Sequence, residues 1–176
     1  MARRDMDGSA ARLVREALAY ADGLHNLARH LSQNAAQAED LVQETYARAL
    51  GAAAQFTEGS NLRAWLYRIL RNTFIDLHRR EQRARTDGGL DTVVDENAPV
   101  VQGNAEPDQV RAVVGHEIEQ AMMVLTDDAR MAVLLDLEGW TESEIAECLG
   151  CATGTVKSRL FRARAALRER LRDHGK

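Results

Sequence analysis

The residues best suited to chemistry lie on one face of the basic segment TVKSRLFRARAALRERL, near the end of the chain. In a helix, where successive side chains are about 100° apart, hydroxyls and guanidinium groups share this face: Thr155, Ser158, Arg159 and Arg162. The opposite face is apolar and carries Val156, Leu160, Ala163, Leu167 and Leu171. A helix fits the major groove of DNA, where arginine can pair with O6 and N7 of guanine. The pattern therefore favours base reading in duplex DNA, with Lys157 placed beside the groove-facing set to contact phosphate.

The residues before this segment are typical of a helix-turn-helix motif. Thr126 can cap a first helix, and Thr141 with Glu144 can form a capping box that opens a short second helix. Gly150 is placed to end that short helix before the basic segment begins. A helix, a tight turn containing glycine and a second, basic helix make up the motif. The alternative is a solvated basic helix that only closes a bundle, which the capped short helix makes less favoured.

A second cationic face is predicted in the helix NLRAWLYRILRNTFIDLHRR. Its apolar stripe consists of Leu62, Leu66, Ile69, Thr73 and Leu77, and the opposite face carries Arg68, Arg71, His78 and Arg79. Such faces are often only solvated, so phosphate binding and plain exposure both stay open here. Trp65 and Trp140 are predicted to pack in the core, whereas Phe56 could contact DNA or anchor its loop.

The helix predicted over Ala36 to Leu50 has an acidic face. Apolar residues recur at helical spacing at Ala38, Leu41, Val42, Tyr46 and Leu50. The other face presents Glu39, Asp40, Gln43 and Glu44, which would suit a basic partner.

Charge is segregated along the chain, although the net charge is only −4. Asn61 to Arg85 carries +5, the stretch from Thr86 to Val110 carries −6, and Lys157 to Arg172 carries +6. Two basic blocks around an acidic one are more informative than the total. The acidic stretch also holds both prolines and a Gly-Gly pair, which is typical of a linker that does not order itself. We therefore predict domains at 1–85 and 111–176 and a linker at 86–110.

The composition predicts an all-α fold, with two small helical domains joined by a flexible acidic linker. Of the 176 residues, 45% are hydrophobic but only 5% are aromatic, and the abundant Ala, Leu, Arg and Glu favour helices. No apolar run approaches the roughly 18 residues that span a membrane, and the N-terminus lacks the apolar core of a signal peptide. We expect a cytoplasmic protein without membrane insertion.

Enzymatic chemistry is not indicated, because no nucleophile motif, phosphate loop or metal-protease motif occurs in the sequence. Cys148 and Cys151 lack the further ligands that zinc requires, so we expect structural cysteines, no metal site and no cofactor.

Three segments, in this order, resemble the extracytoplasmic-function (ECF) family of bacterial RNA polymerase sigma factors: AEDLVQETYARAL, FTEGSNLRAWLYRILRNTFIDLHRR and LTDDARMAVLLDLEGWTESEIAECLGCATGTVKSRLFRARAALRERL. The resemblance implies an alternative sigma factor that binds core RNA polymerase and directs initiation at promoters with −10 and −35 elements. The first domain would be sigma region 2 and the second would be region 4, which rests on the β flap. An anti-sigma factor is implied as a further partner.

The resemblance also implies roles for particular residues. The acidic face (Glu39, Asp40, Gln43 and Glu44) would bind the β′ clamp helices, and the loop around Asn61 would capture a flipped −10 base. Arg68, Arg71, His78 and Arg79 would hold the phosphates of the melting strands, and Thr155 to Arg162 would read the −35 duplex. The linker would pass through the polymerase interior.

Two alternatives stay open at this point. A sigma mimic that only binds an anti-sigma factor would not need the cationic last helix, and a stand-alone repressor would not need the first domain. FTEGSNLRAWL with RNTF is similar to the general-stress branch of the family, but the second domain does not single out that branch. The inducing signal and the target promoters stay open.

Overall fold

The fold is described from a computed structural model that places residues 12–13, 15–32, 34–87 and 118–174. The helices in these ranges are α1 (Ala21–Ser32), α2 (Ala35–Gly51), a 3-10 helix (Ala53–Gln55), α3 (Leu62–Asp87), α4 (Asp127–Leu137), α5 (Glu142–Leu149) and α6 (Thr153–His174). Shorter helical stretches occupy 15–18 and 118–122. The predicted linker lies outside the described residues except for its first two positions, 86 and 87, which continue α3.

The all-α prediction is confirmed, because the described residues form helices and turns and contain no strand. None of the helices within the described ranges is long and apolar enough to cross a membrane.

The residues that the sequence predicts as helix caps do cap the helices α4 and α5. The Thr126 side chain accepts a hydrogen bond from the backbone N–H of Ala129 at the start of α4. Thr141 and Glu144 form the complete capping box of α5, in which the Glu144 carboxylate accepts from the Thr141 backbone N–H at 2.9 Å. This bond is the main reason why the pKa of Glu144 is lowered. Gly150 ends α5 in the left-handed conformation at φ 64°, which glycine adopts without steric cost.

The two domains pack against each other through a shared hydrophobic core. Helix α3 contacts α5, and α1 contacts α4, so two helices of the first domain touch the second domain. At the centre, the rings of Tyr67 and Trp140 lie 4.7 Å apart, and both residues are almost fully buried. The buried residues of the two domains form one continuous hydrophobic cluster. The predicted core role of Trp140 is therefore correct.

The loop between α2 and α3 is fixed by aromatic packing. Phe56 is half-buried, and its ring centroid lies 5.1 Å from that of Trp65, which packs against the core. Of the two roles left open for Phe56, this contact favours the loop anchor.

Candidate nucleic-acid and polymerase interfaces

The second basic helix, α6, has the two faces that its sequence predicts. Val156, Leu160 and Ala163 are buried against the core of the second domain. Thr155, Lys157, Ser158 and Arg162 are exposed, whereas Arg159 is half-buried. Leu171 was expected on the apolar face but is 41% exposed, because the last turns of α6 extend beyond the core.

Bonds within the second domain order this exposed face. The Ser158 hydroxyl donates to the Thr155 carbonyl at 3.0 Å, and Arg162 Nε donates to the Ser158 carbonyl at 3.2 Å. Lys157 Nζ lies 3.5 Å from a Glu142 carboxylate oxygen, and both side chains remain accessible to solvent. The Arg162 side chain is therefore held back along its own helix through Nε, and it remains exposed to solvent.

Phe161 is a feature that the sequence reasoning missed. Its side chain is 76% exposed in the middle of the basic surface of α6, where it lines a shallow groove with Lys157, Arg162, Arg164 and Arg168. The exposure of Phe161 could have been predicted from the sequence, because this aromatic residue directly follows Leu160 of the apolar face and therefore lies outside that face. A large apolar side chain at such a site can contact a thymine methyl group in the major groove.

The cationic face of α3 is not free along its length. Arg68, His78 and Arg79 are exposed, but Arg71 is half-buried and donates twice to Asp128 of α4. The Arg68 guanidinium lies close to the end of α5, since a Cβ atom added to Gly150 would be 3.4 Å from its Nη2. Sequence periodicity predicts which residues share this face, but the fold places the second domain against its middle.

Asn61 has a structural role that the sequence reasoning did not include. Its side-chain oxygen accepts a hydrogen bond from the backbone N–H of Ala64 at 3.0 Å, which caps the start of α3. The cap fixes the orientation of the amide, whose NH₂ group keeps two donors.

The acidic face of α2 is exposed as a set, comprising Glu39, Asp40, Gln43 and Glu44. Glu44 accepts from Arg48 Nε at 2.8 Å, and Arg48 also donates to Asp76 of α3 at 2.9 Å. These two bonds are the main reason why the pKa of Arg48 is raised. The bond to Asp76 joins α2 to α3. The helix that carries the acidic face is therefore held in a fixed position against α3.

The two cysteines have different environments. Cys148 is fully buried in α5, and burial raises the pKa of its thiol to about 12. Cys151 is half-buried, and its sulfur lies 3.8 Å from Arg159 Nη1. Within the described ranges, no three His, Cys, Asp or Glu residues are grouped so that they could hold a metal ion.

Comparisons with known proteins agree with this architecture. Residues 17–84 match the family model for Sigma-70 region 2, and residues 115–167 match that for Sigma-70, region 4. The chain is 38% identical over 151 residues to the ECF RNA polymerase sigma factor EcfG of Rhodopseudomonas palustris, an alignment that covers 85% of this chain and 80% of that protein. It is 35% identical over 165 residues to the ECF sigma factor SigE of Mycolicibacterium smegmatis, covering 92% of this chain but 61% of that protein.

Two solved structures have the same fold. The sigma factor RpoE of Bartonella quintana, crystallised with the anti-sigma factor NepR, superposes with a TM-score of 0.70 at 34% identity, covering 90% of this chain and 95% of that one. CnrH, solved with the cytosolic domain of CnrY, superposes with a TM-score of 0.69 at 22% identity, covering 98% and 95%, and supports the fold alone. With regions 2 and 4 matched in order and relatives aligned over most of their length, this chain belongs to the ECF family of RNA polymerase sigma factors.

Proposed function

We propose that this sigma factor binds core RNA polymerase through the acidic face of α2 and recognises promoters with two separate basic surfaces. The exposed face of α6 reads the −35 duplex, and α3 with the preceding loop binds the −10 element. The observation that carries the proposal is the ordered, solvent-facing set of Thr155, Lys157, Ser158 and Arg162 on α6. The chain acts in the cytoplasm, where polymerase and promoters are, and performs no catalysis of its own.

At the −10 element, the proposed base contact is the side-chain amide of Asn61, whose orientation is fixed by its hydrogen bond with Ala64. Since its oxygen is engaged by Ala64, the NH₂ group is the part that can donate to an extruded base. Extrusion costs a few kcal/mol of lost stacking, which contacts to the base must offset. The exposed Arg68, His78 and Arg79 are proposed to bind the adjacent phosphates.

An anti-sigma factor is a further proposed partner, since the related RpoE was crystallised with one. The surface proposed for it is an apolar groove of about 630 Å³ between α1 and the second domain, which Asn26, Met122 and Leu134 help to line. At its edge, Leu137 is 77% exposed and Ile118 is 49% exposed. Apolar area of this kind commonly marks an interface with another protein.

Transcription in vitro tests the proposed function directly. Core polymerase, this chain and a promoter library should give specific starts only when both proteins are present. Tight sequence-specific binding by the free chain, without transcription on adding core, would favour the repressor alternative. Binding of an anti-sigma factor without any promoter-specific starts would favour the sigma mimic.

We expect Arg162→Ala to change the base-pair preference of DNA binding, and Lys157→Ala to change only its strength. On promoters selected with the unaltered chain and core polymerase, Arg162→Ala should cost about 1 to 3 kcal/mol and relax the preference at particular −35 base pairs. Lys157→Ala, the matched control on the same exposed face, should weaken binding to all sequences alike and reduce its salt dependence. Equal losses on every sequence for both variants would limit Arg162 to a phosphate contact.

A thymine-to-uracil substitution in the −35 element tests Phe161. Uracil lacks the C5 methyl group, so replacing the contacted thymine should weaken binding of the unaltered chain and leave Phe161→Ala, which is already weakened, insensitive. Competition binding with each thymine replaced in turn measures both effects. If both proteins respond alike at every position, Phe161 does not read a methyl group.

A further inference from the structure

One carboxylate joins the two basic surfaces. Asp128, in the first turn of α4, accepts from Arg71 of α3 through Oδ1, with Nε at 2.8 Å and Nη2 at 2.7 Å. Its other oxygen, Oδ2, lies 3.3 Å from Nη2 of Arg159 on α6. The two arginines belong to different domains and to different proposed DNA-binding surfaces, yet they share this single acceptor.

The site is shielded from solvent more than ordinary surface pairs are. The side chains of Arg71, Asp128 and Arg159 are 20%, 29% and 22% exposed. Exposed ion pairs contribute little because water and salt screen them, whereas partly buried pairs are screened less. Two cations and one anion leave a net positive charge, so a phosphate group would compete with Asp128 for the same guanidinium groups.

Neighbouring contacts close the same interface. The Arg63 guanidinium of α3 lies 4.0 Å from the centroid of the Trp140 ring, and Arg63 Nη2 is 3.8 Å from Glu138. In this arrangement the middle of the α3 basic face meets protein instead of solvent, and Arg159 points towards α4. The guanidinium groups of Arg71 and Arg159 are therefore engaged by Asp128 while the domains stay closed.

We propose that Asp128 is an intramolecular latch that holds this sigma factor in a closed form, in which it occupies arginines meant for DNA. The latch rests on the proposed function, together with the DNA-binding roles that the family resemblance implies for Arg71 and Arg159. If only the open fraction of the chain binds DNA, the apparent dissociation constant is the intrinsic one divided by that fraction. Core polymerase would hold the domains apart. The whole population would then be open, so the apparent dissociation constant would fall to the intrinsic one and both surfaces would be exposed together.

Asp128→Asn tests the latch, with Asp127→Asn as its matched control. Both variants remove one negative charge from the first turn of α4, but Asp127 pairs with Arg130 of its own helix at 3.8 Å, whereas Asp128 pairs with Arg71 and Arg159. Small-angle X-ray scattering on the full chain should give a larger radius of gyration for Asp128→Asn than for Asp127→Asn. The free Asp128→Asn chain should also bind selected promoter DNA about 5- to 10-fold more tightly than the control.

The outcomes separate the latch from the proposed function. An unchanged radius of gyration for Asp128→Asn overturns the latch, whatever happens to DNA binding. A larger radius without tighter DNA binding overturns its autoinhibitory role. Transcription by the unaltered chain with core polymerase is measured separately, so failure there counts against the proposed function, whereas the radius of gyration still decides the latch.

Discussion

Core RNA polymerase should bind the Asp40→Ala, Glu44→Ala double variant at least about 30-fold more weakly than it binds the unaltered chain. Truncating charged groups at an interface commonly costs about 2 to 5 kcal/mol, and each 1.4 kcal/mol is a factor of about ten in affinity. Both side chains are exposed on α2. Arg48 keeps its bond to Asp76 after Glu44 is removed, so α2 should remain attached to α3. Pull-down titration with purified core measures the loss, and circular dichroism should show unchanged helical content.

Glu16→Ala with Glu58→Ala is the matched control for this experiment. Both acids are exposed in the first domain and pair only with Arg12 among the described residues, so the control removes the same charge away from α2. Surface pairs of this kind contribute little to stability. If both double variants lose affinity equally, net charge and not the acidic face of α2 governs binding to polymerase.

Trp140→Ala should lower the free energy of unfolding by about 3 to 5 kcal/mol, the usual cost of removing a buried tryptophan. The variant loses the ring contact with Tyr67 and the cation–π contact with Arg63, both of which join the two domains. Tyr67 is so buried that its pKa is raised well above its usual value, and it would be left beside a cavity. Urea unfolding followed by circular dichroism measures the loss, and hydrogen exchange should quicken in α3 as well as in the second domain.

Trp65→Ala provides the comparison, since Trp65 is half-buried and its ring packs at a tilt against that of Phe56 within the first domain. We expect a smaller loss of stability and no faster hydrogen exchange in the second domain. If Trp140→Ala left exchange in α3 unchanged, the shared core would not couple the domains.

In the proposed function, the surfaces that would bind promoter DNA include residues that the closed packing engages with protein. Binding −10 and −35 elements together makes two weak contacts into one strong one, provided that the domains are held at the spacing of the promoter. The predicted acidic linker lies outside the described structure from residue 88 onward. Within the described ranges, the carboxylate that contacts both faces is Asp128 of α4.

Local features could be predicted from the sequence because their causes lie within a few residues. The capping oxygens of Thr126 and Thr141 bond backbone groups three positions away, and Gly150 ends its helix by a local change of φ. The apolar face of α6 follows from helical spacing alone, as the burial of Val156 and Leu160 confirms. The motifs and their order also identified the family, because each has residues at fixed offsets.

Contacts between distant segments depend on the three-dimensional fold and could not be predicted from spacing. Asp128 and Arg71 are 57 positions apart, and no spacing rule relates them. Periodicity places Arg71 opposite the apolar stripe of α3, but whether that face meets water, DNA or protein depends on how α4 and α5 approach it. Helical spacing, capping residues and the order of the motifs are enough to specify the helices, their faces and the family. Which basic side chains are held by protein depends on the packing of the two domains, because a charged group pairs with the partner that the fold brings within hydrogen-bonding distance.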